Sequence, residues 1–174
     1  PDVDWARFDL VVVRSCWDYV RRRREFLEWA ARVPRLANPA PVLGWNTDKS
    51  YLSDLAARGI PVVPTEWLRP GQAWSLPERG AWVIKPAVSL ASLDTGRYQL
   101  EDPDERRLAA EHVNRLHLYG RVVMIQPYLQ AVDDEGETSL VYLDGEFSHA
   151  MRKAAVLTGP DLGIDRRFQP HGGL

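Results

Sequence analysis

The dipeptide Asp144-Gly145 stands between two stretches that favour extended backbone, residues 138–143 and 146–151. A two-residue turn of this composition tolerates positive φ at both central positions and matches the twist of paired strands, so the spacing predicts an antiparallel β-hairpin. Beyond the turn, Phe147, His149, Met151 and Lys153 fall on one face, because side chains alternate along a strand. His149 has no neighbours at metal-ligand spacing and reads as a core histidine or one that supports another side chain.

A second marked element has helical periodicity. Asp102 caps it, Pro103 occupies its first turn and Glu105 completes a capping box; Leu108, Ala109, His112, Val113 and Leu116 form one stripe before Gly120. His112 on that stripe reads as a packing histidine.

The chain of 174 residues is long enough for one domain or two small lobes. Its net charge of −2, with both signs interspersed, offers no field for a polyanion, which argues against nucleic acid as a partner. The basic run Arg21-Arg22-Arg23-Arg24 precedes the helical spacing Phe26, Trp29, Ala30, Val33 and reads as a solvated helix start. Cys16, the single cysteine, fits a reducing compartment and, beside an apolar strand, a buried structural thiol. No apolar run has membrane-spanning length and no signal peptide opens the chain, so a cytoplasmic protein is expected. The start without methionine and the loop-like ending suggest an incomplete chain.

Residues 8–13 form a short apolar run that suits a buried parallel strand. Ligands of open α/β sheets gather at the carboxyl ends of such strands, which is where Arg14, Ser15, Trp17 and Asp18 fall. They either face a substrate or form a plain strand-to-helix turn capped by Asp18. A helix is expected over 19–32 and a proline-rich loop over 38–41. Asn46, Thr47 and Asp48 offer N-caps for a helix through Arg58, with Leu52, Leu55 and Ala56 on its buried side and Gly59 as its left-handed stop. Residues 60–65, broken by Pro61 and Pro64, read as an edge strand; 71–80 as loop; 81–85 and 122–125 as further strands. Pro127 is expected to end ladder pairing and free nearby backbone groups for a ligand.

Only three of the 22 basic residues are lysines: Lys49, Lys85 and Lys153. Lys49 falls in a first helical turn, where the dipole disfavours positive charge; either an anion lies nearby or the lysine is simply exposed. Lys85 shares a strand face with Val83, and an inward lysine needs a charged partner, a carboxylate or a phosphate. Residues 88–97, with Ser89, Ser92, Thr95 and Gly96, can offer hydroxyls and amides to phosphates, a weak signal.

In order, Val13-Arg14-Ser15-Cys16-Trp17-Asp18-Tyr19, Trp45-Asn46-Thr47-Asp48-Lys49, Gly59-Ile60-Pro61-Val62-Val63-Pro64-Thr65, Val83-Ile84-Lys85-Pro86, Asp94-Thr95-Gly96-Arg97, Gln126-Pro127-Tyr128, Gly136-Glu137-Thr138-Ser139-Leu140, Phe147-Ser148-His149-Ala150 with Lys153, and Arg167-Phe168-Gln169 before Gly172-Gly173 form a series. This series resembles the glutathione-synthetase-like branch of the ATP-grasp superfamily. The resemblance implies a partial ATP-grasp fold of α+β and α/β character, with the remnant of an N-terminal α/β substrate domain. Residues 1–60 would be the substrate-side region, 61–125 the lid subdomain and 126–174 the start of the core subdomain. It implies an ATP-dependent carboxylate–amine ligase acting through an acyl phosphate, with a small-molecule carboxylate and an amine as substrates; the lack of a long apolar run separately argues against a membrane partner. The rival reading is a non-catalytic nucleotide-binding module. A homodimer is the commonest oligomer for such a protein.

By the same resemblance Lys49 and Lys85 grip the ATP phosphates, and Gln126, Pro127, Tyr128 and Leu129 form the hinge that reads the adenine edge. Glu137 is a further nucleotide contact. Ser89, Ser92 and Thr95 lie in the loop that closes over the phosphates. Arg167 and Lys153 are the catalytic cations, neutralising the transferring phosphoryl group or holding the substrate carboxylate. Arg14, Ser15 and Asp18 face the substrate. Three departures stand out. The loop Val88-Ser89-Leu90-Ala91-Ser92 lacks glycine; Gln130-Ala131-Val132 separate the hinge from Asp133, the nearest acid for a ribose; and ligands for Mg2+ are expected beyond Leu174.

Overall fold

A computed structural model describes residues 3–14 and 16–162. Ser15 and Arg167 lie outside the described residues, as does the Arg167-Phe168-Gln169 motif. The described residues divide into two units, one made of those up to Val62 with Ala87–Ala91, the other of Val63–Pro86 with those after Ala91.

In the first unit, β1 (Val11–Val12) pairs in parallel with β2 (Leu36–Ala37), Val11 opposite Leu36. The parallel pairing agrees with the sequence, but the expected burial does not hold: Val12 is 58% and Leu10 60% exposed. Among the described residues this ribbon has only two strands, too few to cover both faces. The helix predicted over 19–32 is divided. A 3-10 turn, Asp18–Val20, precedes α1 (Arg23–Arg32). Asp18 makes no cap; it lies 4.0 Å from Arg22 instead.

The arginine run is solvated on one side, where Arg22 pairs with Glu25 at 2.6 Å and Arg24 with Glu28 at 3.8 Å. Arg23 turns the other way and donates to Thr47 Oγ1 (3.0 Å) and the Gly44 carbonyl (2.7 Å). The loop expected over 38–41 instead runs into a helix, α2 (Ala40–Asn46), that takes in Ala40 and Pro41. Pro39 and Pro41 sit at its start, where a missing N–H costs no helical hydrogen bond. Asn46 therefore ends a helix rather than capping one, and the next helix, α3 (Tyr51–Ala57), begins later than the sequence suggested. Asp48 prepares it by accepting from the Ser50 amide (3.0 Å). Gly59 stops it at φ +77°, as expected. Leu52 and Leu55 are half-buried, but Ala56 is exposed.

The second unit is built on a four-stranded antiparallel sheet in the order β3-β6-β4-β5: β3 (Glu66–Leu68), β4 (Ala81–Pro86), β5 (Gly96–Gln99) and β6 (Val123–Pro127). The edge strand starts only after Thr65, because Pro61 and Pro64 remove two ladder donors from the stretch where it was expected. Helix α4 (Pro103–Leu118) covers one sheet face. Ile84, Tyr98, Leu100, Val123 and Ile125 meet its Ala109, Val113 and Leu116 in the main core.

Asp102 caps α4 by accepting from the amides of Asp104 (2.8 Å) and Glu105 (3.1 Å). The expected capping box is not closed. Glu105 instead accepts from the Gln99 amide (2.6 Å), tying the helix start to β5. A short α5 (Ala131–Glu135) leads to the hairpin of β7 (Glu137–Leu143) and β8 (Glu146–Lys153). Its turn has φ +52° at Asp144 and +83° at Gly145, which bears out the sequence reading. His149 is exposed, not a core residue, since nothing among the described residues covers β8; its Nδ1 meets Ser148 Oγ at 3.0 Å. No helix among the described residues is long and apolar enough to cross a membrane.

Candidate functional site

Register decides which side chains leave the core face of the second unit's sheet. Directly opposed residues of an antiparallel pair share a face. Lys85 lies opposite Met124 and Val83 opposite both Gln126 and Arg97, whereas Ile84 and Ile125 point to α4. Lys85, Val83, Met124, Gln126 and Arg97 therefore share the sheet face away from the helix.

Lys85 is the chemically loaded member. Its ammonium is half-buried, and among the described residues no hydrogen bond or ion pair reaches it. Burial pushes its pKa down, and the negative charge of Glu137 pulls it part of the way back. Glu137 opens β7 and stands opposite Lys153, the last residue of β8. The fold thus gathers three of the sequence's candidates, Lys85, Glu137 and Lys153, around one end of the hairpin. Gly136 permits this: at φ +77° it lies so close that a Cβ would come within 2.4 Å of the Lys153 carbonyl oxygen.

Gln126, 6% exposed, donates to Thr65 Oγ1 (2.8 Å), and Thr65 in turn donates to the Val63 carbonyl (2.9 Å). Thr65 was not singled out for a role. Its signal was its place at the end of the Pro-Val-Val-Pro-Thr stretch, which carries no chemistry when read locally. Pro127 does not end the ladder: it pairs with Trp82, and the Tyr128 amide donates to the Ala81 carbonyl (2.8 Å). Because amides alternate sides along a strand, the donor that proline lacks points away from β4, past the end of β3. The Leu129 carbonyl also has a partner, the Val132 amide (2.9 Å).

Past Leu129, one acid collects several donors. Asp133 accepts from the Tyr128 hydroxyl, from Arg97 (2.9 Å) and from Gln130 (3.1 Å). The Arg97 guanidinium also sits 3.7 Å above the Tyr128 ring. The Tyr128 bond, then Arg97, hold the Asp133 carboxyl below its usual range; partial burial and the bond to Asp133 push the Tyr128 phenol up.

The loop over 88–95 takes left-handed backbone without glycine, with φ of +50° at Ala91, +58° at Ser92 and +49° at Asp94. Asp94 is paired with Arg121, and Thr95 Oγ1 turns to the Leu93 carbonyl at 3.2 Å.

In the first unit the ammonium of Lys49 donates to the Ser89 carbonyl (2.8 Å) and hydroxyl (3.0 Å), so two further candidates meet. Lys49 precedes α3 rather than lying in its first turn, and its amide donates to the Ala87 carbonyl (2.9 Å). A cavity of about 390 Å³ is lined by Arg14, Cys16, Trp17, Tyr19, Asn46 and Thr47 among others. Asp18 lines a neighbouring depression instead, with Tyr19 and Trp29. Cys16 reaches both and is exposed, which corrects the expectation of a buried thiol: the strand it follows ends before it, at Val12. Among the described residues no group of three His, Cys, Asp or Glu is arranged to hold a metal ion.

The structure superposes on the crystal structure of D-cycloserine synthetase DcsG with a TM-score of 0.78 and 40% identity, covering 93% of this chain and 60% of that one. It also superposes on D-alanine–D-alanine ligase from Helicobacter pylori with a TM-score of 0.51 and 17% identity, over 86% and 49% of the two chains, a likeness of fold alone. The fold is ATP-grasp-related. In sequence, the cycloserine biosynthesis protein DcsG of Streptomyces lavendulae is 43% identical over 89% of this chain and 55% of its own length. Residues 1–38 match the family of the D-cycloserine synthetase DcsG N-terminal domain. This ATP-grasp-related chain spans little more than half the length of the curated relative it matches.

Proposed function

We propose that the protein is an ATP-dependent carboxylate–amine ligase. A substrate carboxylate oxygen attacks the γ-phosphorus of ATP, ADP leaves, and the acyl phosphate is attacked by an amine with loss of inorganic phosphate and formation of a C–N bond. Lys85 is the observation that carries this reading. A half-buried ammonium with no hydrogen-bond or ion-pair partner among the described residues is poised for an anion. Phosphoryl transfer is catalysed largely by such positioned charge.

Lys153, opposite Glu137 at the same end of the hairpin, would add a second cation. Lys49 and Ser89 keep the phosphate-binding roles implied by the resemblance, as do Ser92 and Thr95, while Gln126 to Leu129 would hold the base. ATP-grasp enzymes use Mg2+. Among the described residues no three His, Cys, Asp or Glu are gathered to hold the ion. Similarity to a cycloserine synthetase favours a small substrate, in keeping with a cavity of about 390 Å³ beside Arg14.

The test is substrate-stimulated ADP release by the full-length protein and by its Lys85→Ala variant. A loss of at least about 100-fold is expected, the scale of removing one positioned charge-stabilising group. ADP release that ignores the substitution would sink the assignment.

A further inference from the structure

We infer that Asp133 and Arg97 are positioning residues that clamp Tyr128 and thereby fix the hinge on which, under the reading just given, the nucleotide base rests. The inference depends on that reading only for its link to ATP; the clamp itself is a matter of geometry.

An acid shortly after the hinge would ordinarily be a candidate for the ribose hydroxyls. Here Gln130, Ala131 and Val132 intervene, and their backbone explains what they do. The Val132 amide donates to the Leu129 carbonyl (2.9 Å) and the Asp133 amide to the Gln130 carbonyl (2.9 Å), so the chain makes one turn and carries Asp133 back toward the tyrosine it has just left. One carboxylate oxygen then accepts from the Tyr128 hydroxyl, the other from Arg97 (2.9 Å) and Gln130 (3.1 Å). Three donors leave a carboxylate little capacity for a ligand hydroxyl.

Arg97 holds the same tyrosine a second way, through its guanidinium 3.7 Å above the ring. Its own base is firm. The residue lies on β5 opposite Val83, and its amide donates to the Gly159 carbonyl (3.0 Å). The Arg97 and Asp133 side chains are 19% and 29% exposed, so their ion pair is less screened than a fully solvated one. Strand β5, the exit of β6 and helix α5 therefore converge on one side chain at the hinge.

The full-length protein is compared with its Arg97→Ala, Asp133→Ala and doubly substituted variants. The KM for ATP is expected to rise about tenfold in each single variant. In the double variant it should rise no further than in the worse single one, because the two residues act as a unit. The kcat should stay within about twofold and the KM for the carboxylate substrate should not move. Wild-type discrimination against 2′-deoxy-ATP and 3′-deoxy-ATP should persist in Asp133→Ala. If that discrimination vanishes in Asp133→Ala but survives in Arg97→Ala, Asp133 is a ribose ligand and the inference is overturned.

Hydrogen exchange judges the clamp without nucleotide. Amides of residues 126–133 should exchange at least about tenfold faster in both single variants while those of α4 keep their protection. Unchanged exchange across 126–133 would overturn the clamp. A wild-type protein that releases no ADP under any condition overturns the ligase reading instead, and the exchange result then decides the clamp alone.

Discussion

Gly136 lies against the carbonyl of Lys153, so that a Cβ on residue 136 would stand 2.4 Å from that oxygen. The contact joins the end of α5 to the end of β8 and admits no side chain. Gly136→Ala adds the clash to the strain of a non-glycine residue at φ +77°. It is expected to destabilise the hairpin by about 2 kcal/mol or more. Chemical denaturation read by hairpin hydrogen exchange checks it; an unchanged stability would mean that β7 and β8 shift freely.

Lys85 sets stability against its proposed role. Its burial disfavours the charged form, so the folded protein loses stability by holding an ammonium there. Lys85→Met keeps the length and removes the charge. The expected outcome is a thermal midpoint for the second unit that is unchanged or a few degrees higher, together with loss of ADP release. A large drop in the midpoint would show that the ammonium has a structural role.

Ala91 adopts φ +50°, a conformation that costs a residue with a Cβ roughly 1 kcal/mol or more. Ala91→Gly removes that strain but loosens the unfolded chain by a similar amount. Stability should hold or improve slightly, in contrast to glycine placed in ordinary backbone. Urea denaturation measures the difference, and a loss of more than about 1 kcal/mol would show that the loop relies on the Ala91 methyl group.

His112 gives the pH dependence. It is fully buried; Tyr98 Oη meets its Nδ1 at 2.8 Å, and Asp161 lies 3.6 Å from its Nε2. Burial is the main cause that brings its pKa down to about 4, although Asp161 opposes it. The unfolded chain, with an ordinary histidine near 6.5, then binds the proton that the folded chain refuses. Stability from this group is complete above about pH 6.5 and falls as pH drops toward 4, by up to about 3 kcal/mol. Denaturation at a series of pH values should show that slope in the wild type and a flatter one in His112→Gln. Parallel slopes would place the titration elsewhere.

The elements legible in the sequence were those specified within a few residues. Asp102 and Pro103 announce α4, and Asp144-Gly145 announces the hairpin, whatever the rest of the chain does. Helix α2 was hidden because prolines stop a helix interior but suit a helix start, and nothing local says which applies. Cys16 and His149 were misplaced because an apolar neighbourhood in sequence does not guarantee an element to cover it. Among the candidate residues, the lysines stood out through their scarcity. Their surroundings did not: Lys85 meets the charge of Glu137, and Arg97 reaches Asp133, only through strand register and the path of α5. The 88–92 loop lacks glycine, yet Ala91 and Ser92 take the left-handed conformation, which no local signal announced.

The uneven distribution of the core has a consequence for calorimetry. The largest fully buried side chains, among them Tyr98, Ile84, Leu100, Leu116 and Met124, all belong to the second unit. Among the described residues, the apolar ones buried in the first are few and mostly small: Ala30, Val33, Leu43 and Ala87. Heat should therefore melt α1, α2 and α3 well before α4, with two overlapping endotherms and a van't Hoff enthalpy below the calorimetric one. A single melting temperature assigned to the whole chain would describe neither unit.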